Sequence, residues 1–128
     1  MNGKLLDTNV LVRLFNGDKK ITDYLSKQND IRLSSISLGE LLFGAEKSQR
    51  TEENKNKAIA FFSRYNLYET SEEVAAEYGK IKSALLKSGN PIPENDLWLA
   101  AVAKANDFAI VTQDKHFKKI SNLSIIEI

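Results

Sequence analysis

Short apolar runs alternate along this chain with stretches in which apolar residues return at helical spacing. Lys4–Leu6 reads as a brief strand. A helix follows, with Val10, Leu11, Leu14 and Phe15 on one face and Asn16-Gly17 as its stop. A small polar helix near 20–28 leads into a second strand over 31–35. The next helix is expected from about Leu38, carrying Leu41, Leu42 and Ala45, and another over 52–65, before a short strand at 67–69. The clearest helix spans 72–88, where Val74, Tyr78, Ile81 and Leu85 step by four, three and four residues with Glu and Lys on the other face. Gly89 and the two prolines, Pro91 and Pro93, make a stiff loop. An alanine-rich helix over 97–105, a buried strand over 108–112 and a last strand at 124–127 complete the pattern. This alternation predicts an α/β fold, a three-layer sandwich whose mainly parallel sheet is flanked by helices.

The 128 residues fit a single domain over 1–128. With 42% hydrophobic and 27% charged residues, the composition is that of an ordinary globular chain, neither disordered nor collagen-like. Every apolar run is interrupted well short of the ~18 residues of a membrane span. The N-terminus also lacks the apolar stretch of a signal peptide, so no membrane and a cytoplasmic location are expected. The absence of cysteine excludes disulfides, zinc knuckles, iron–sulfur sites and thiol nucleophiles. A net charge of +1 is not the footprint of a surface that binds nucleic acid all over. The charge is unevenly spread: residues 1–64 hold 11 Lys/Arg and 8 Asp/Glu, a balance of +3, and all four arginines, whereas residues 65–128 hold 7 and 9, a balance of −2.

Parallel α/β sheets place their sites outside the carboxyl ends of the strands, and acidic residues gather there. Asp7 follows the first strand directly. Glu40 is expected in the first turn of the helix after the second strand. Asp114 comes two residues after the strand ending at Thr112, and Asp96 opens the alanine-rich helix. Each has an ordinary structural reading. Asp7 is a suitable N-cap, and Ser37-Leu38-Gly39-Glu40 has the form of a capping box. Asp96 suits the dipole of a first turn, and Asp114 suits the start of a turn. Together they carry more weight, because two carboxylates at ~4 Å repel by about 4 kcal/mol at an effective dielectric of 20. A fold tolerates that with cations bound or with raised pKa values. Oxygen donors without cysteine, and with the sole histidine, His116, not obviously in the expected pocket, select Mg2+ or Mn2+. Metal-assisted phosphoryl chemistry is the natural use of such a site.

Four segments, in order and with consistent spacing, carry a family resemblance: Leu6-Asp7-Thr8-Asn9, the run from Ser35 to Ser48, Asn95-Asp96-Leu97-Trp98-Leu99-Ala100-Ala101, and Val111-Thr112-Gln113-Asp114. They resemble a PIN domain, and more narrowly a VapC-type toxin ribonuclease, over nearly the whole chain. Tyr78-Gly79-Lys80-Ile81-Lys82 is also similar to the family's central helix. The resemblance implies a metal-dependent endoribonuclease, the toxin of a type II toxin–antitoxin pair. Its positions matching Asp7 and Asp96 are the main Mg2+ ligands, with Glu40 and Asp114 completing the acidic site directly or through water. Asn9 and Thr112 match polar residues that line the pocket. The implied chemistry is in-line attack of a metal-activated water on RNA, often a tRNA. A homodimer and a cognate antitoxin, which inserts a peptide into the active-site groove, are implied as partners.

The chain departs from the family pattern at Pro93-Glu94, where relatives more often have Gly-Pro. Glu94 brings a negative charge two residues from Asp96 that is expected to enlarge the metal site or repel RNA. Arg13, Lys47, Lys115 and His116 are candidate RNA contacts, with a solvated face as the alternative. Trp98, Phe43, Phe61, Phe62 and Tyr65 read as packing or interface residues, not as a base-stacking surface. Tyr78 fits either a dimer contact or core packing. Phosphate-transfer folds that also place an aspartate after the first strand want a late strand-end lysine, and here that strand ends in Thr112-Gln113-Asp114. Walker and dinucleotide motifs are absent. A catalytically silent PIN-like scaffold acting through protein contacts is the non-enzymatic alternative, and loss of one of the four acids would have favoured it.

Overall fold

In the computed structural model, which describes residues 2–128, five strands form one parallel sheet in the order β3-β2-β1-β4-β5. The strands are β1 (Lys4–Leu6), β2 (Ile31–Ser34), β3 (Leu67–Tyr68), β4 (Ala109–Thr112) and β5 (Ile125–Glu127). Helices α1 (Thr8–Phe15) and α2 (Lys19–Ser26) join β1 to β2, and α3 (Ser35–Lys47) and α4 (Thr51–Phe62) join β2 to β3. Helices α5 (Glu72–Ser88) and α6 (Glu94–Asn106) lead into β4, and a short 3-10 helix, Lys115–Lys119, lies between β4 and β5. The α/β expectation holds, with every strand pair parallel.

The two-residue period of a strand sorts its side chains into two cores. On one face Leu5 and Ile110 pack with Val74, Ile81 and Leu85 of α5 and with the apolar run Leu99–Ala103 of α6. On the other, Leu6 and Val111 pack with Val10, Leu11, Ile21 and Phe62. The alanines of α6, fully buried at Ala100, Ala101 and Ala103, let this helix lie close against its neighbours. Tyr78 stacks on Trp98 with ring centroids 3.9 Å apart and planes 11° from parallel, and both rings pack against the first core. Phe62 is buried, whereas Phe43 is 61% exposed and joins neither core.

Several boundaries differ from those read in the sequence. Strand β2 stops at Ser34, whose hydroxyl accepts from the Ile36 N–H and so starts α3 at Ser35. The helix therefore begins three residues before Leu38, and Ser37-Leu38-Gly39-Glu40 is not a capping box. Glu40 sits in the second turn. Helix α4 ends at Phe62, followed by a turn, and not at 65. Helix α6 begins at Glu94 and not Leu97, because Pro93, with φ −56°, sits ready at its N-cap. Asp96 is thus its third residue. The αL conformation of Gly89, φ +72°, ends α5 as expected.

Strand order decides where a site can form. The chain adds β2 and β3 on one side of β1, then crosses back to place β4 and β5 on the other. The crossover direction reverses between β1 and β4, and a crevice opens there beyond the strands' carboxyl ends. Asp7 and Thr112-Gln113-Asp114 follow those two ends.

Candidate active site

Asp7 occupies the N-cap position of α1 with extended backbone, yet its carboxylate makes no capping hydrogen bond. It is turned instead toward β4, where the Thr112 hydroxyl donates to Asp7 Oδ2 at 2.8 Å. The same Thr112 oxygen accepts from the Asp114 N–H, also at 2.8 Å. One buried hydroxyl thereby fixes two of the acids. Asp7 is only 3% exposed, and burial pushes its carboxyl up to about 6. The Thr112 hydrogen bond partly offsets that rise, and the charges of Asp96 and then Asp114 add to it. Burial likewise raises Asp96, against a lowering hydrogen bond from His116, with Asp114 and Glu40 contributing repulsion.

Glu40 reaches the site from α3. The Thr8 hydroxyl donates to its Oε1 at 2.7 Å and shares a second hydrogen bond with the Ser37 hydroxyl at 2.9 Å. Asp114 does act as a cap: its Oδ1 accepts from the His116 N–H at 2.9 Å and starts the 3-10 helix. That role leaves its carboxylate beside Asp96 and His116, since ligand atoms of the three residues lie within 4.8 Å of one another. The fold thus brings Asp7, Glu40, Asp96 and Asp114 into one electrostatically coupled group from four separate elements.

The other sequence candidates divide. Thr112 is fully buried inside the site. Asn9, Arg13 and Lys115 line a cleft together with Gln113 and Asp114. Arg13 also pairs with Asp18 at 3.6 Å. Lys47 lies at the far end of α3, its ammonium 4.4 Å from the centre of the Phe43 ring, and it lines no cleft with the acids. Glu94 neither joins the acidic group nor faces it unpaired: it accepts from the Tyr78 hydroxyl and pairs with Lys82 at 3.3 Å. Its charge is spent on α5.

His116 is the main correction. The sequence does not place it in the pocket, but Nδ1 stands 3.1 Å from Asp114 Oδ1 and 3.4 Å from Asp96 Oδ2. The 3-10 helix turns the side chain back toward the acids, which residue spacing does not reveal. Thr8 and Ser37, which position Glu40, were also missed. Their only sequence signal was membership of the segments that hold Asp7 and Glu40.

Asp96, Asp114 and His116, with Glu40 and the buried Asp7 close enough to act on their charge, fit a hard divalent cation. No other charge among the described residues neutralises Asp7: its only side-chain partner is the neutral Thr112 hydroxyl. The same donors also suit in-line attack on a phosphodiester.

The chain resembles known proteins over nearly its whole length. Residues 4–123 match the family model described as PIN domain. Ribonuclease VapC2 of Rickettsia felis is 36% identical over 124 residues, 93% of this chain and 92% of the relative. The tRNA(fMet)-specific endonuclease VapC of Shigella flexneri is 30% identical, with 93% and 92% covered. The crystal structure of VapBC2 from Rickettsia felis bound to a DNA fragment from their promoter contains a chain that superposes with a TM-score of 0.90 at 34% identity, covering 97% of each chain. The chain belongs to the PIN domain family and, within it, to the VapC ribonucleases.

Proposed function

We propose that this protein is an endoribonuclease dependent on Mg2+ or Mn2+, the toxin of a type II toxin–antitoxin system, and that tRNA is its substrate. The observation that carries the reading is the convergence of Asp7, Glu40, Asp96 and Asp114 at the crevice between β1 and β4, with Asp7 buried and unneutralised. Asp7 and Asp96 hold the cation, and Glu40 and Asp114 complete its acidic surroundings. A bound cation supplies positive charge at the scissile phosphate and lowers the pKa of a water molecule. Thr112 keeps Asp7 aimed into the site, and Thr8 does the same for Glu40. Arg13 and Lys115, at the rim of the cleft that Asn9 lines, offset the phosphate charge of the incoming strand, and Lys47, at the far end of α3 over the Phe43 ring, is a contact for more distant substrate. Asn9 is exposed there and offers its amide to the substrate.

The name of the Shigella flexneri relative supports tRNA as the substrate class. The VapBC neighbours support an antitoxin as partner, and we infer a homodimer on the family resemblance. A single domain spanning 1–128 and a cytoplasmic location accord with this role; no helix among the described residues is long and apolar enough to cross a membrane.

Cleavage of a total tRNA pool tests the proposal, run with Mg2+, with Mn2+ and with EDTA beside Asp7→Asn and Asp96→Asn controls. Discrete fragments are expected that need metal and are missing with both variants. Cleavage that survives EDTA, or that either variant performs at the wild-type rate, would sink the assignment.

A further inference from the structure

We propose that His116 is a metal ligand, and that its imidazole nitrogen gives this acidic site a preference for Mn2+ over Mg2+. The inference rests on the nuclease reading above and adds to its carboxylates a donor of a different kind. Adjacent ligands around a six-coordinate ion with bonds of about 2.1 Å stand about 3 Å apart, and opposite ones about 4.2 Å. The distances from His116 Nδ1 to Asp114 Oδ1, 3.1 Å, and to Asp96 Oδ2, 3.4 Å, have the spacing of adjacent ligands. All three donor atoms lie within 4.8 Å of one another, so a small closing shift brings them onto one ion. Asp7 lies outside this trio, deeper and bonded through Oδ2 to Thr112. The nitrogen therefore serves the Asp114 side of the site.

The ring is held there from both directions along the chain. On one side the Asp114 carboxylate accepts the His116 N–H, and Asp114 is itself tied to the buried Thr112 hydroxyl. On the other, Phe117 is fully buried in the core beneath α6. A backbone pinned at 114 and at 117 leaves the imidazole little choice of position. Its side chain is 43% exposed, so a cation and its remaining waters can approach.

The chemistry of the donor decides the consequence. Mg2+ is hard, takes oxygen ligands and gains little from an imidazole. Mn2+ shares the preference for carboxylate oxygen but, as a first-row transition ion, gains more from a nitrogen donor than Mg2+ does. A site of four carboxylates alone separates the two ions weakly, and one nitrogen widens the gap in favour of Mn2+.

The chain contains a single histidine, so a nitrogen signal from bound Mn2+ has one side-chain imidazole as its source. Pulsed electron paramagnetic resonance on the full-length protein loaded with Mn2+ is the direct test. Samples are wild type at natural abundance, wild type grown with 15N-histidine, and His116→Gln. A directly bonded 14N modulation is expected in the first, its replacement by 15N coupling in the second, and its loss in the third. By calorimetry, His116→Gln should lower the Mn2+-to-Mg2+ affinity ratio by about tenfold. Bound Mn2+ without nitrogen coupling in the wild type overturns this inference and leaves the nuclease reading standing. No Mn2+ binding by the wild type overturns both. The isotope comparison is made in unmutated protein, so it decides even if His116→Gln folds poorly.

Discussion

At the scale of single residues, the side chains of this site are set by partners far away in sequence. Asp7 is a good N-cap residue at an N-cap position, and its carboxylate ignores the cap for a hydroxyl 105 residues away. The consequence is a pH dependence. With a folded-state pKa of about 6 against an ordinary 3.8, the folded chain binds more protons than the unfolded chain between those values. Metal-free stability therefore falls as pH rises from about 4 to about 6, and the full cost, roughly 3 kcal/mol from Asp7, is present above that window. Asp7→Asn should flatten this slope and stabilise the metal-free protein at neutral pH by about 1–3 kcal/mol, as read by urea unfolding in EDTA. A variant less stable than wild type at neutral pH would contradict the burial argument. Thr112→Val removes the hydrogen bond that holds Asp7 down and leaves the Asp114 N–H unpaired. It should cost about 1–3 kcal/mol and push the acid limb of metal binding to higher pH, which calorimetry across a pH series checks.

At the scale of elements, the caps decide which acids are free for chemistry. Ser34 starts α3 early and so moves Glu40 from a first turn, where it would bond back to the cap, to a second turn beside Thr8. Glu40→Gln keeps an oxygen to accept from Thr8 but loses the charge. RNA cleavage should fall at least about tenfold while stability changes by less than about 0.5 kcal/mol; equal losses in both would return Glu40 to a structural role. The 3-10 helix is the second such element. Phe117 anchors it in the core with no exposed surface, so Phe117→Ala should cost about 3–5 kcal/mol. Because it releases the turn that carries Asp114 and His116, it should also weaken metal binding in the fraction that remains folded. Helical periodicity located α5 and the alternation of strands correctly, since both are local patterns repeated over many residues. It misplaced the starts of α3 and α6 because a single serine hydroxyl and a single proline set them.

For the whole molecule, the sheet order gathers the site. β1 lies at the centre, the chain reverses direction beside it, and acids from four elements meet in the resulting crevice. A group assembled this way exists only in the folded state, so a cation that binds it stabilises the fold as a unit. Mn2+ at about a hundred times its dissociation constant should add roughly 2.7 kcal/mol to wild-type stability, and Asp96→Asn should lose most of that gain. Thermal unfolding with and without Mn2+ reads both. Equal shifts in the two proteins would place the ion elsewhere. The sequence by itself determined the α/β alternation and the parallel sheet, because strand and helix periods are local, and it singled out the four acids as candidates from their places along the chain and from the family resemblance. Tertiary structure alone decided that Asp7 turns to Thr112, that Glu94 is absorbed by Tyr78 and Lys82, and that His116 faces Asp96 and Asp114. Each of those choices is a competition between a nearby backbone partner and a distant side chain, and only the packed fold brings the distant one within reach.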